Sequence, residues 1–185
     1  ATVYVFSLLA PAVIRFAAWV LTHTGYRVTT LGAENIPARG GALLVSNHLS
    51  YADPFLMTAA VPRRVRFMMM RPLYNYRPLT WFFKMMGAIP IAGNDGPKKF
   101  MASIEQARQA LREGHIVCIF AEGAISRLAQ LLGFRKGLEA IAKDLDVPIV
   151  PVHLDRVWGS VFSFERGKFI WKMPRQIPYP VTVSF

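Results

Sequence analysis

The chain divides into short runs rich in apolar and β-branched residues, separated by longer segments with a helical period. The runs are four to seven residues long, which predicts strands rather than buried helices; they cover residues 26–31, 42–45, 66–70, 115–120 and 147–153. Two further short strands are predicted near Phe169 and Val183. The run at 115–120 is apolar from Ile116 to Phe120, as is typical of a parallel strand covered on both faces.

Helices are predicted between these strands. After Pro97 the residues Phe100, Ile104, Ala107 and Leu111 share one helical face, and Gly114 marks the end of that helix. Other helices are predicted after residue 53, over 78–86 and over 134–145. Because strands and helices alternate, we predict an α/β fold with a mixed, largely parallel sheet flanked by helices.

Residues 3–21 are almost entirely apolar but are interrupted by Pro11 and Arg15. They lack the basic start and cleavage site of a signal peptide, and the proline and arginine argue against a simple spanning helix. We predict an interfacial helix or a membrane-inserted hairpin over residues 1–24, followed by a catalytic domain over 25–185. A buried packing helix is the alternative for the first segment. The chain does not begin with methionine, so we expect it to be a fragment of a longer one.

The first candidate for chemistry is the turn that follows the strand at 42–45. His48 and Asp53 stand five positions apart there, and Asp53-Pro54 is typical of a helix start with the acid as N-cap. Pockets of α/β proteins lie at the carboxyl ends of strands. An imidazole at such a place, with a carboxylate folded back onto it, is a general base with an orienting partner. The alternative is a solvated loop histidine beside an ordinary helix cap.

A second polar group ends the strand at 115–120. Glu122 and Gly123 follow this strand directly, so the carboxylate should reach the same sheet edge as His48. Alone, an exposed loop acid would be the simpler interpretation of Glu122. Two strands that deliver polar groups to one edge favour a catalytic site.

Composition and net charge limit the classes of molecule that the chain is expected to bind. The net charge is +11, from 22 basic and 11 acidic residues, and 53% of the residues are hydrophobic. Basic residues alternate with large apolar ones over 63–68, and we find no nucleic-acid-binding motif, so an anionic membrane surface is the expected partner. The four histidines show no metal-ligand spacing, so no metal is expected. The single cysteine, Cys118, lies in an apolar strand and is expected to serve packing.

These residues resemble a known family. Asn47-His48 with Asp53, and Phe120-Ala121-Glu122-Gly123, resemble the NHxxxxD and FPEGTRS motifs of the glycerolipid (lysophospholipid) acyltransferase family, and residues 87–91 and 147–152 fall where its other two motifs lie. Within the family, the resemblance is closest to the acyltransferase part of bifunctional acyl-ACP synthetase/2-acylglycerophosphoethanolamine acyltransferase. That part is often fused to a lysophospholipid transporter and an acyl-activating domain.

The resemblance implies transfer of a fatty acyl group from a thioester to the free hydroxyl of a lysophospholipid, in phospholipid synthesis or repair. It implies no cofactor beyond the co-substrate, acyl-ACP or acyl-CoA, and a location on the cytoplasmic face of the bacterial inner membrane. His48 and Asp53 would be catalytic, and N–H groups near the helix that starts at Pro54 would stabilise the oxyanion. The substrate-binding residues would be Asn47, Glu122, Gly123, Ser126, Arg71 and Arg127.

The chain departs from the family where arginines are usual. Ile125 stands at the arginine position of the third motif, and Gly93 stands near that of the second. A phosphate monoester such as lysophosphatidate calls for arginine forks, whereas a phosphodiester carries one charge. Lysophosphatidylethanolamine is therefore the expected acceptor, and lysophosphatidate is the alternative. Two other classes also stay open: a lipid hydrolase with water as acceptor, and a non-catalytic membrane-docking module.

Overall fold

The computed structural model describes residue 16, residues 19–20, 22–91, 96–128, 130–167 and 176–185. Seven strands of the described chain form one sheet in the order β1–β7–β6–β2–β5–β3–β4. Their bounds are β1 Tyr26–Leu31, β2 Ala42–Ser46, β3 Val65–Met70, β4 Ile89–Ile91, β5 Ile116–Phe120, β6 Ile149–Asp155 and β7 Tyr179–Ser184.

Five neighbouring strands of this sheet run in one direction. β6, β2, β5, β3 and β4 are mutually parallel, while β7 is antiparallel to β6 and parallel to β1. The carboxyl ends of β2, β3 and β5 therefore share one edge. The end of β1 and the start of β6 lie at the opposite edge. The predicted fold class, a largely parallel mixed sheet with flanking helices, is confirmed.

Helices cover both faces of the sheet. Their bounds are α1 Asp53–Ala60, α2 Arg71–Tyr74, α3 Arg77–Met85, α4 Pro97–Arg112 and α5 Gly137–Ala142. Side chains alternate across each strand, so Leu44 and Cys118 pack in the cluster that contains Leu56 of α1. Leu43 and Val117 pack on the other face. Because both faces are buried, β2 and β5 are apolar at every position except the last residue of β2, Ser46, which is why they were recognisable as runs.

Three elements differ from the prediction. The helix predicted over 134–145 is reduced to α5, because the Arg135 N–H donates to the Ala121 carbonyl (2.8 Å) and holds the preceding residues in a loop. Strand β4 was not predicted as a strand; it has three residues, contains Pro90, and pairs only at the sheet edge, where proline is tolerated. Helix α2, four residues long, was also missed.

Some expectations fall outside the described residues. These are the strand near Phe169, the position of Gly93, and most of the apolar segment 3–21; residues 22–24 are helical. Over the part of the chain that the structure describes, no helix combines the length and apolar character needed to span a bilayer. The division into residues 1–24 and 25–185 stays a prediction.

Candidate active site

The turn between β2 and α1 carries the histidine at the sheet edge where parallel strands end. His48 Nδ1 lies 2.8 Å from Oδ2 of Asp53, and the aspartate is fully buried. The same Oδ2 accepts the backbone N–H groups of Leu49 (2.7 Å) and Ser50 (2.9 Å). Three donors thus converge on one carboxylate oxygen. Because a carboxylate oxygen accepts hydrogen bonds, the arrangement assigns the ring proton of His48 to Nδ1.

The role of Asp53 as a helix cap was predicted wrongly. Ala52 is the N-cap residue of α1, and no side chain caps that helix; proline does stand in its first turn. The reason is the direction of the carboxylate, which turns back onto the loop from His48 to Ser50 instead of onto the first turn of α1. The simple cap is thereby excluded as the explanation of Asp53, and the orienting role remains.

Phe120, the last residue of β5, fixes the plane of the imidazole. The two rings stack with centroids 3.9 Å apart and an angle of 15° between their planes. Stacking and the Asp53 bond together hold the ring in one orientation. Among the described residues, Nε2 has no hydrogen-bond partner, and the His48 side chain is 16% exposed. Nε2 is therefore the nitrogen that can reach a bound substrate.

Glu122 connects two loops at this edge. Its Oε1 accepts the backbone N–H of His48 (2.9 Å), and its Oε2 accepts the N–H of Leu132 (2.8 Å). The side chain is buried, so a carboxylate here is held by these two donors. The predicted position at the catalytic edge agrees with the structure. A direct contact between Glu122 and an acceptor stays a prediction, because both oxygens already have backbone partners.

Two predicted substrate-binding residues have structural partners. Asn47 bonds both backbone groups of Leu154: its Oδ1 accepts the N–H (2.8 Å) and its Nδ2 donates to the carbonyl (3.0 Å). The buried Ser126 donates from Oγ to the Gln130 carbonyl (2.7 Å), and its N–H donates to the His48 carbonyl (2.8 Å). Both side chains therefore fix the loops that carry the site. Their contact with substrate stays a prediction.

The predicted phosphate-binding arginines flank the site. Arg127 lies over the ring of Phe164, 5.3 Å from its centroid, and that ring in turn contacts Tyr51 of the His48 loop at 5.9 Å. Arg71 follows β3 and donates to Ser103 Oγ (3.2 Å) and more weakly to the Pro90 carbonyl (3.4 Å). Arg71 thus links β4 to α4, in addition to any role toward an anion.

Arg135 is a cation that the sequence analysis did not single out. Its stem packs on Gly123, where an added Cβ would lie 3.0 Å from Arg135 Cγ and 3.7 Å from Nε. Gly123 has φ +68°, a conformation that disfavours side chains, so a glycine is needed there for both backbone and space. The contact places a guanidinium beside the turn in which Ile125 replaces the arginine usual at that position. The signal for it in the sequence was the cluster Arg135-Lys136 soon after this turn.

The amide groups of the His48 loop are already engaged. Each N–H from residue 48 to residue 53, and those of Phe55 and Leu56, donates within the protein. The expectation that N–H groups at the start of α1 stabilise an oxyanion is therefore wrong. Among the described residues, the N–H groups of Ala124 and Ile125 have no acceptor. They follow Glu122 at the same sheet edge.

The basic segment over residues 63–68, which suggested a membrane partner, is partly engaged in internal hydrogen bonds. Arg63 donates to the carbonyls of Pro37 and Gly114, both at 2.7 Å, and Arg64 donates to the Met85 carbonyl. Burial lowers the pKa of Arg64, and the neighbouring Arg66 lowers it further. These arginines therefore contribute to the fold as well as to the positive surface.

The last feature of the site is the set of side chains that could bind a metal ion. Among the described residues, no group of three or more histidine, cysteine, aspartate or glutamate side chains could hold a metal ion.

Comparison with known proteins identifies the family to which the chain belongs. The sequence profile of the Acyltransferase family matches residues 27–155, which include His48, Asp53 and Glu122. The chain belongs to this family. The structure of the 1-acyl-sn-glycerophosphate (LPA) acyltransferase PlsC from Thermotoga maritima has a similar fold, with a TM-score of 0.72 and 21% identity over 96% of this chain and 68% of that one.

Individual relatives carry one type of name. A probable 1-acyl-sn-glycerol-3-phosphate acyltransferase of Mycoplasma pneumoniae is 31% identical over 94% of this chain and 65% of its own length. The chloroplastic 1-acyl-sn-glycerol-3-phosphate acyltransferase LPAT1 of Arabidopsis thaliana is 28% identical over 70% of this chain and 36% of its own length. The chain thus spans less than two thirds of these relatives. The closer resemblance to the bifunctional acyl-ACP synthetase enzymes stays a prediction.

Proposed function

We propose that this chain carries the catalytic site of an O-acyltransferase that moves a fatty acyl group from a thioester to the free hydroxyl of a lysophospholipid. The observation that carries the proposal is the His48–Asp53 pair, with Nδ1 bonded to a buried carboxylate at 2.8 Å and Nε2 without a partner among the described residues. A general base needs this arrangement, and a non-catalytic docking module does not.

The chemistry follows from that geometry. Nε2 takes the proton of the acceptor hydroxyl as its oxygen attacks the thioester carbonyl, and Asp53 stabilises the imidazolium that forms. The C–O ester bond forms, the C–S bond breaks, and the imidazolium returns its proton to the departing thiolate. The N–H groups of Ala124 and Ile125, which have no acceptor among the described residues, lie at this sheet edge and are candidates to stabilise the oxyanion. No acyl-enzyme is required.

We favour lysophosphatidate over lysophosphatidylethanolamine as the acceptor, because the relatives described above are named for 1-acyl-sn-glycerol-3-phosphate. Arg127 and Arg135 supply cations near the turn where Ile125 stands, which supports a phosphate monoester despite the missing arginine. Lysophosphatidylethanolamine is the second candidate, because Ile125 itself removes one guanidinium fork from the motif.

The acceptor is tested by measuring kcat/KM for both lysophospholipids with one acyl donor. A preference for lysophosphatidate of about tenfold or more, equal to ~1.4 kcal/mol, would support the first candidate. The opposite preference would support the second. The same assay with acyl-CoA and with acyl-ACP identifies the donor, since the sequence alone implies both.

Hydrolysis is separated from transfer by measuring free fatty acid alongside diacyl product. If fatty acid release exceeds transfer when lysophospholipid is present, the domain is a hydrolase and the proposal fails. If no transfer or release occurs with any donor, the docking module is favoured.

We also propose that the enzyme works on a membrane surface, on the cytoplasmic face of a bacterial inner membrane, with residues 1–24 contributing to attachment. The apolar composition of residues 3–21 and the net charge of +11 support this location. Removal of residues 1–24 should lower vesicle co-sedimentation, and the remaining binding should weaken with salt. Equal binding of both forms to neutral vesicles at high salt would contradict it. Fusion to a transporter and an acyl-activating domain is checked by the reading frame around this segment.

A further inference from the structure

The loop between β5 and α5 exposes large apolar side chains. We define the apolar loop as residues 124–128 and 130–136. Leu128 is 72% exposed, Leu131 is 67% exposed and Phe134 is 58% exposed. Single exposed apolar residues are ordinary on protein surfaces, but three within seven positions of one loop form a patch.

The charged side chains of the apolar loop itself have one sign. Residues 123–138 include three basic residues, Arg127, Arg135 and Lys136, and no acidic residue. All three basic residues are exposed. Exposed leucine and phenylalanine side chains interleaved with arginine and lysine match the interface of an anionic bilayer, where apolar groups insert and cations meet lipid phosphates.

The backbone of the apolar loop is hydrogen-bonded to the turn that carries His48 and to the residues that follow β5. The Ser126 N–H donates to the His48 carbonyl, the Leu132 N–H donates to Glu122 Oε2, and the Arg135 N–H donates to the Ala121 carbonyl, each at 2.8 Å. Glu122 also accepts the His48 N–H at 2.9 Å. Because this surface is hydrogen-bonded to the turn that carries His48, a ligand bound to it would lie close to His48.

We propose that the apolar loop docks on an anionic lipid bilayer and thereby presents the catalytic edge to its lipid acceptor, an inference that rests on the proposed function. Leu128, Leu131 and Phe134 insert between the lipids. Arg127, Arg135 and Lys136 contact the phosphate groups around them. Glu122, which accepts the N–H groups of both His48 and Leu132, joins the inserted loop to the turn that carries His48.

The test compares two multiple variants of the 185-residue chain. One carries Leu128→Ser, Leu131→Ser and Phe134→Ser. The matched control carries Leu31→Ser and Ile149→Ser, which remove exposed apolar side chains (53% and 52%) from the opposite sheet edge. Both sets change exposed positions, and thermal unfolding confirms that both variants are folded. Co-sedimentation is measured with phosphatidylglycerol vesicles.

The loop variant should partition at least about tenfold less into these vesicles than the unchanged chain, because it loses three inserted apolar side chains. The control should partition like the unchanged chain. Equal partitioning of the loop variant and the control would overturn the proposal. If binding to pure phosphatidylcholine vesicles equals binding to phosphatidylglycerol, the assignment of an anionic surface is overturned.

A local probe tests the orientation. Leu131→Cys and, separately, Leu31→Cys are labelled with an environment-sensitive fluorophore, in a Cys118→Ala background. A blue shift on adding vesicles is expected at position 131 and not at position 31. Equal shifts at both positions would overturn the proposed orientation.

Failure of this inference is distinguishable from failure of the proposed function. Binding is measured without turnover, and His48→Ala should bind vesicles like the unchanged chain while losing transfer. If the chain binds through the loop but transfers no acyl group, the docking surface stands and the proposed function fails. If the unchanged chain transfers acyl groups and the loop variant binds vesicles equally well, the proposed function stands and the docking surface fails.

Discussion

His48 and Asp53 are joined through one oxygen atom that also organises the loop between them. Asp53 Oδ2 accepts from His48 Nδ1 at 2.8 Å and from the N–H groups of Leu49 and Ser50. The carboxylate therefore has two effects that separate variants can distinguish. It orients the imidazole through Nδ1, and it holds the backbone of the turn that follows β2.

The first prediction concerns the base itself. His48→Ala should lower the acyl-transfer rate about 10²-fold or more, which is the usual contribution of a positioned general base. His115→Ala is the matched control, because His115 precedes β5 at the opposite sheet edge, where its Nε2 lies 2.7 Å from an Arg66 nitrogen. Rates are compared for folded proteins of equal concentration. Near-unchanged transfer by His48→Ala would remove this residue from the mechanism.

The second prediction separates the two effects of Asp53. Asp53→Ala should lower the free energy of unfolding by about 2–5 kcal/mol, since it leaves the two backbone donors without an acceptor in a buried turn. Asp53→Asn can place its oxygen where Oδ2 lies, but its NH2 group then takes the buried Oδ1 position, which has no partner, so it should lose less stability than Asp53→Ala without matching the unchanged chain. It loses the negative charge, however, and should still lower the transfer rate about 10²-fold.

The measurements for Asp53 are thermal unfolding and kcat on the same preparations. If Asp53→Asn transferred at the original rate, the charge on this residue would have no part in catalysis. If Asp53→Ala unfolded at the original temperature, the loop would not depend on the carboxylate.

The strands that carry the site were predictable because they are buried on both faces. β2 and β5 form apolar runs with Leu43 and Val117 on one face and Leu44 and Cys118 on the other. Their ends were therefore located within a residue or so, and His48 and Glu122 were predicted at one edge. Short elements such as β4 have too few residues to produce a pattern.

The partners of the site residues were less predictable than their positions. Asn47 bonds Leu154, which lies 107 positions along the chain, and no local pattern contains that pairing. The direction of the Asp53 carboxylate was missed for a related reason: Asp-Pro at a helix start is consistent with a cap, and only the folded loop places better donors on the other side. Arg135 was missed because its contact with Gly123 depends on how the long loop returns.

The third prediction follows from that long-range pair. Asn47→Ala should lower the free energy of unfolding by about 2–4 kcal/mol, because the Leu154 N–H and carbonyl lose both partners. Asn35→Ala is the control: it removes one exposed bond, to the Phe185 carbonyl, and should change stability by about 1 kcal/mol or less. Denaturant unfolding gives both values. A large loss of kcat/KM by Asn47→Ala at unchanged stability would instead favour the predicted substrate contact.

The fourth prediction concerns the single cysteine. Burial raises the pKa of the Cys118 thiol, the Asp53 charge raises it further, and the thiol lies 3.7 Å from the Met57 sulfur. Because the thiolate is the reactive form, the native chain should resist a thiol reagent such as DTNB at about pH 8, and one thiol should react after denaturation. Rapid reaction of the native chain would show that β5 opens readily. If the native chain does not react, DTNB can also be used to measure coenzyme A release in the transfer assay.

The fifth prediction is the pH dependence that this raised pKa imposes on stability. Below the ordinary thiol pKa of about 8.5, the group is neutral in both folded and unfolded chains and gives no slope. Above that pH the unfolded chain ionises and the folded chain does not, so the folded state binds more protons and stability falls as pH rises. Relative to Cys118→Ala, the unchanged chain should lose about 1.4 kcal/mol per pH unit from about pH 9 upward. The comparison cancels the titration of lysines and tyrosines common to both. If the unfolding free energies of the unchanged chain and Cys118→Ala stayed parallel between about pH 8 and 10, the thiol would ionise equally well inside the fold. Its burial within the sheet does not allow this, so such a result would contradict the prediction.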